Sequence, residues 1–142
     1  LPVFSCDSGL YFGDLSPDLQ PGTHIRRVGG RSLNDEEMTA YYANLARIHG
    51  GLLTGRYKNS ICLILDPEHI YQSIDESLWT EPFLLTDTPH SKRVPGYPLD
   101  RLSLDIATRK YYYDLPDRVV DSSAVHTGYY QFFRAHCHPE HR

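Results

Sequence analysis

The stretch from Asn34 to Gly51 constrains this sequence more than any other. Asn34 carries a side-chain acceptor suited to the amino end of a helix, and Glu37, three residues on, completes a capping box. Met38, Tyr41, Tyr42, Leu45, Ile48 and His49 then recur at steps of three and four, and Gly50-Gly51 supplies a carboxy-terminal stop. The spacing predicts an amphipathic helix with one buried face, so the segments around it must supply an apolar surface.

Those segments read as strands. His24 to Val28 is a short strand that ends in the flexible pair Gly29-Gly30. Leu52 to Thr54 and Ser60 to Leu65 follow the helix as two further strands, the second apolar enough to be central and covered on both faces. From about 66 to 104 the pattern breaks: Pro67, Pro82, Pro89, Pro95 and Pro98 interrupt it among Trp79, Phe83 and Leu84-Leu85. We read an irregular insertion there, some of whose apolar side chains pack back onto the body. A second short helix is expected around Ala107 to Asp114, and a strand at Arg118-Val119-Val120. Asp121 or Ser122 then caps a last helix with Val125, Tyr129, Phe132, Phe133 and His136 on one face.

At 142 residues the chain fits one domain, 1–142, large enough to bury a core without metal or disulfide staples. Its 40% hydrophobic and 23% charged content is that of a folding chain. The net charge of −4 disfavours general attraction to a nucleic-acid backbone. The three cysteines are an odd count, and Cys62 lies inside an apolar run, which favours reduced thiols in cytosol or nucleus. No apolar stretch approaches the ~18 residues that cross a bilayer, and no membrane partner is expected. The abrupt ends suggest a segment of a longer protein.

Motifs of chemistry are scarce. There is no nucleophile elbow, phosphate loop or metalloprotease helix, and Gly29-Gly30-Arg31-Ser32 is too short to count as a nucleotide loop. His136, Cys137, His138 and His141 have the composition of a zinc half-site, but neighbours on one segment do not close a tetrahedron alone. No metal, cofactor or small-molecule substrate is therefore expected, and the chain reads as a non-enzyme. Tyr111-Tyr112-Tyr113 and Tyr129-Tyr130 suit either a protein-binding surface or core packing.

The order β-α-β-β-insertion-α-β-α predicts an α/β domain with a parallel sheet covered on both faces. Three stretches narrow it. Leu33 to Glu37 through Ile48-His49-Gly50-Gly51 resembles the first helix of BRCT domains, and Ser60 to Ile64 resembles their third strand. Thr108-Arg109-Lys110-Tyr111, followed by Val119-Val120-Asp121-Ser122-Ser123, resembles the start of their second helix, their fourth strand and the start of their last helix. Leu10-Tyr11-Phe12-Gly13 matches the approach to their first strand, while Ala124 stands where the family places a tryptophan.

The resemblance implies a three-layer BRCT-like fold, with a four-stranded parallel sheet flanked by helices on both faces. It also implies an adaptor in the nucleus that binds a phosphorylated serine or threonine peptide within a chromatin, DNA-repair or chromosome-segregation assembly, at a kinetochore or telomere. Carried over residue by residue, the phosphate-binding set is Gly30, Arg31 and Ser32 with Arg109 and Lys110. Amide donors, a helix amino end and a cation together hold such an anion. Two alternatives stay open: a phosphate-independent scaffolding module, and binding of a DNA end through Arg26, Arg27, Arg31 and Lys110.

Overall fold

The computed structural model describes residues 2–13, 15–116 and 123–137. Among these the chain forms β1 (Val3–Phe12), a hairpin of β2 (Arg27–Val28) and β3 (Arg31–Ser32), then helix α1 (Asp35–Ile48). The long strand β4 (Leu52–Asp66) follows, then β5 (His69–Ser73), β6 (Phe83–Thr86), β7 (Ser103–Leu104) and helix α2 (Ser123–His136). Single 3-10 turns lie at Pro17–Leu19, Glu76–Leu78, Pro98–Leu102 and Tyr112–Asp114.

β4 is the axis of the sheet. β1 pairs with it from Phe12↔Gly55 to Val3↔Ile64 on one side. On the other side β6 pairs its first residues and β5 its last, and β7 extends β6. Every one of these pairings is antiparallel, so the expected four-stranded parallel sheet of a BRCT-like fold is corrected to a five-stranded antiparallel one.

Two residues explain the difference. The apolar run Ser60 to Leu65 suggests burial on both faces, yet Ile61 and Leu63 are 2% exposed while Cys62 between them is half-buried and Ile64 beyond them is 40% exposed. That alternation belongs to an antiparallel strand with one open face. Gly55 suggests a break between two strands, but β4 runs through it: a Cβ there would lie 2.9 Å from the Phe12 ring and 3.0 Å from that of Phe83. The glycine makes room for two rings rather than ending the strand.

The other boundaries shift for local reasons. Only Arg27-Val28 of the strand expected at 24–28 pairs, closing a hairpin whose Gly29 and Gly30 take positive φ. The helix expected over 107–114 is replaced by a turn, in which the Asp105 carboxylate accepts from the Thr108 amide and hydroxyl and Arg109 adopts φ 57°. The insertion of 66–104 is no appendage: it contributes β5, β6, β7 and the core residues Leu99 and Leu102. The strand expected at Arg118-Val119-Val120, the caps Asp121 and Ser122, and the side chains of Ala124 and Val125 lie outside the described residues.

α1 forms as its sequence dictates. The Asn34 side chain accepts from the Glu37 amide at 2.8 Å, and the Glu37 carboxylate accepts from the Asn34 amide at 3.2 Å. At the other end Gly50 and Gly51 take positive φ, and the Gly51 amide reaches the Ala46 carbonyl at 2.8 Å. The buried face of Met38, Tyr42 and Leu45 meets Leu10 and Phe12 of β1 in the larger of two core clusters. The Tyr42 hydroxyl donates to the Ile25 carbonyl at 2.6 Å, and burial pushes its phenol well above the usual range.

The second cluster is smaller: Ile61, Leu63, Leu78 and Phe132, beneath α2. Gly128 of α2 lets the helix close on the turn before Trp79, since a Cβ there would stand 2.4 Å from the Ser77 carbonyl oxygen. Both helices thus lie under the side of β1 and β4 that presents Leu10, Phe12, Ile61 and Leu63.

Candidate functional site

Side chains alternate along a strand, so with Leu10 and Phe12 turned toward the helices, Asp7, Gly9 and Tyr11 take the opposite face. The antiparallel register sets Ser60, Lys58 and Arg56 directly across from them. Among the described residues this face carries no helix, and it holds a cavity of about 320 Å³ lined by Asp7, Gly9, Tyr11, Lys58, Ile74 and Trp79, together with Thr23, Asn59 and Ser60. That volume is at the lower end of small-molecule sites.

One wall comes from residues 78–80, which run beside β4. The Thr80 amide donates to the Tyr57 carbonyl at 3.0 Å, and the Asn59 amide group donates to the Leu78 carbonyl at 2.7 Å. Leu78 enters the second core cluster, and Trp79 after it packs partly against that cluster while lining the cavity. The indole donates to the Ile74 carbonyl at 3.2 Å, which fixes its plane.

Lys58 sits between two aromatic faces, its ammonium 4.9 Å from the Tyr11 ring centre and 4.5 Å from that of Trp79. Arg56 approaches the same indole at 5.4 Å, donates to the Thr80 carbonyl and pairs with Glu76 at 3.3 Å. Lys58 makes no ion pair among the described residues, so its charge is balanced by ring faces and solvent. Gly9 shapes the floor: a Cβ there would lie 2.8 Å from the Tyr11 ring and 3.1 Å from the Gly22 backbone. A carboxylate, an unpaired ammonium and two aromatic plates therefore share one concavity, which suits a flat molecule carrying negative charge.

The loop before β7 offers smaller grooves, of about 160 and 220 Å³, on either side of the exposed Tyr97. Its charges are already engaged. Arg93 pairs with Glu36 at 2.5 Å, Arg26 with Asp35 at 3.0 Å, and Arg101 donates to the His90 carbonyl. The Gly96 amide and then the Arg26 guanidinium hold the Asp35 carboxyl below its ordinary range. His90 donates through Nε2 to Asp114 at 2.8 Å while its Nδ1 accepts from the Lys92 amide.

The residues expected to bind phosphate fall in two places. Gly30, Arg31 and Ser32 occupy the β2–β3 hairpin, where Arg31 pairs with Glu37 of α1. Arg109 and Lys110 occupy the turn after Asp105, whose amide donates to the Lys110 carbonyl. No hydrogen bond or ion pair among the described residues joins the two groups, and Lys110 does not begin a helix. His136 stacks on Tyr71 with ring centres 4.0 Å apart, Cys137 packs on the second core cluster, and His138 and His141 lie outside the described residues. No group of three or more His, Cys, Asp or Glu suited to a metal ion occurs among the described residues. The sequence reading missed Asp7, Tyr11, Lys58 and Trp79. The signal was present as two facing alternations, Asp7-x-Gly9-x-Tyr11 and Arg56-x-Lys58-x-Ser60, legible only with the β1–β4 pairing known.

No family model and no curated protein matches the sequence. The fold is nonetheless similar to solved structures. A Ham1 protein of Staphylococcus aureus aligns with TM-score 0.63 and 15% identity over 94% of this chain and 67% of its own. A HAM1 protein from Coxiella burnetii gives 0.65 and 15% over 95% and 66%. A nucleoside-triphosphatase, named dITP/XTP pyrophosphatase, from Mycobacterium abscessus gives 0.57 and 18% over 98% and 67%. The chain thus has a Ham1-like fold and spans about two thirds of the length of these structures. This likeness and the antiparallel sheet overturn the BRCT resemblance and with it the phosphopeptide adaptor of chromatin, repair or kinetochore assemblies. The expectation of a non-enzyme without a small-molecule substrate is corrected too, since the fold is shared with a protein named for hydrolysing nucleotides.

Proposed function

We propose that this protein hydrolyses a nucleoside triphosphate to the monophosphate and pyrophosphate, with a deaminated purine such as that of dITP or XTP as its base. The observation that carries the reading is the cavity on the open face of β1 and β4, where Asp7 and Lys58 stand beside the Tyr11 and Trp79 rings. Its support from outside is the name of the Mycobacterium abscessus structure that shares the fold.

Each part has a use. An aromatic plate takes a purine by stacking, and the Lys58 ammonium, drawn off the rings, offsets phosphate charge. Asp7 is the one carboxylate among the residues lining the cavity. It accepts a proton from the water that attacks the α-phosphorus; the bond from that phosphorus to the bridging oxygen breaks, and pyrophosphate leaves with the electron pair.

Pyrophosphate release from dITP, XTP and dATP by the full gene product, in magnesium-containing buffer, tests this. We expect turnover of the first two and a fall of about 100-fold or more in kcat for Asp7→Asn. Lys58→Met should act chiefly on KM. The single tryptophan of the sequence, Trp79, gives a binding signal by fluorescence quenching. Absence of pyrophosphate from all three substrates, with no quenching, would refute the reading.

A further inference from the structure

Two cations lie on the Trp79 indole, and they are held differently. Arg56, 5.4 Å from the ring centre, also donates to the Thr80 carbonyl at 2.7 Å and pairs with Glu76 at 3.3 Å. The Lys58 ammonium, 4.5 Å from the same ring and 4.9 Å from that of Tyr11, has no hydrogen bond or ion pair among the described residues. Asp7 lines the same cavity, yet its carboxylate does not pair with this ammonium. One cation is tied to a carbonyl and a carboxylate, while the other rests on ring faces alone and can swing away on its flexible stem.

The rings themselves are fixed. Gly9 stands opposite Lys58 in the strand register, and the Tyr11 ring lies over it, 2.8 Å from where a Cβ would be. The Trp79 indole is held by its hydrogen bond to the Ile74 carbonyl. Aromatic rings in contact have centres about 4.5–7 Å apart. The Lys58 ammonium occupies that same layer over both rings, so a flat base cannot lie there until the ammonium leaves. Leaving gives up two cation–π contacts. A ligand that offers the charge a better partner offsets that loss, and phosphate oxygens do so.

We propose that Lys58 is a charge-operated stopper, which keeps neutral nucleosides off the Tyr11 and Trp79 faces and yields those faces to phosphorylated ones. The inference rests on the nucleotide reading of this cavity and adds a rule of selection to it: base and phosphate are admitted together. Phosphate draws the ammonium off the rings, and the bared faces then take the base. By linkage the help is mutual, so a base already stacked frees the ammonium for phosphate. A nucleoside and pyrophosphate, the halves of a nucleotide with no bond between them, therefore assist each other's binding.

Equilibrium dialysis of inosine, uncharged at neutral pH, against the full gene product with and without pyrophosphate tests this without reference to catalysis. The buffer is free of magnesium, and chloride holds the ionic strength constant. Saturating pyrophosphate should tighten inosine binding to the wild-type protein by about 10-fold. Lys58→Ala should bind inosine alone as tightly as the wild type does with pyrophosphate present, and pyrophosphate should then change that affinity by less than about twofold. Inosine binding that pyrophosphate does not alter in the wild type overturns the proposal, and so does a pyrophosphate effect that survives in Lys58→Ala. Dialysis of dITP in the same buffer separates this failure from that of the nucleotide reading. Binding of dITP without any pyrophosphate effect on inosine removes the stopper and leaves the reading, whereas binding of neither dITP nor inosine removes both.

Discussion

The two halves of β1 share one strand, one partner and one register, yet they end in opposite conditions. From Gly9 to Phe12 the strand is mostly buried, packs on α1, and has its outer groups satisfied by Gly22 and Gln20. From Val3 to Ser8 it is exposed, meets α2 through Phe4 on Phe133, and its outer groups have no partner among the described residues. Strand character is therefore not what decides stability here. The inner half is held by what lies beneath and beside it, and the outer half by β4 and the contact of Phe4 with Phe133 of α2.

Substitutions that break this contrast rank by what they remove. Phe12→Ala deletes a ring wedged against Gly55 and Tyr42 in the larger cluster and should cost about 3–5 kcal/mol, read by chemical denaturation. Gln20→Ala strips a surrogate partner from two backbone groups of Phe12 and one of Leu15, and about 2 kcal/mol should be lost in the same assay.

Alkaline titration sharpens the inner half further. Burial pushes the Tyr57 phenol up to about 12, so the folded state keeps a proton that the unfolded chain gives up near pH 10. Stability from this group is full below pH 10 and falls as pH rises toward 12, by on the order of 1 kcal/mol per unit. Tyr57→Phe should flatten that decline. Asn34→Ala, which loosens α1 at its cap, should cost about 1 kcal/mol. At the outer end of the sheet, Ile70→Thr on a 52% exposed side chain should change stability by less than about 0.5 kcal/mol.

What the sequence made legible was local. The capping box at Asn34 and Glu37 and the glycine stop at Gly50-Gly51 depend on residues within one or two turns of each other, and α1 runs between them. The pairing of β1 with β4 joins Val3 to Ile64 across about 60 residues, and no local pattern encodes such a direction or register. Parallel order was inferred from the succession of strands and helices, and the run Ser60 to Leu65 was read as covered on both faces because its alternation shows only when the covered face is known. The prolines of 66–104 suggested an irregular insertion for a related reason: they flank β6 and open the turn that carries Leu99 and Leu102, and leave the short strands between them unmarked. The cavity residues escaped because Asp7, Lys58 and Trp79 are unremarkable in sequence and become neighbours only through that long-range register.

The double contact of Trp79 has a mechanical result. Trp79 lines the cavity and also packs against the cluster beneath α2, so the wall of the cavity and the support of α2 cannot drift independently. Any molecule that grips Trp79 will consequently steady the carboxy-terminal helix as well, raising the melting temperature of a part of the chain it never touches.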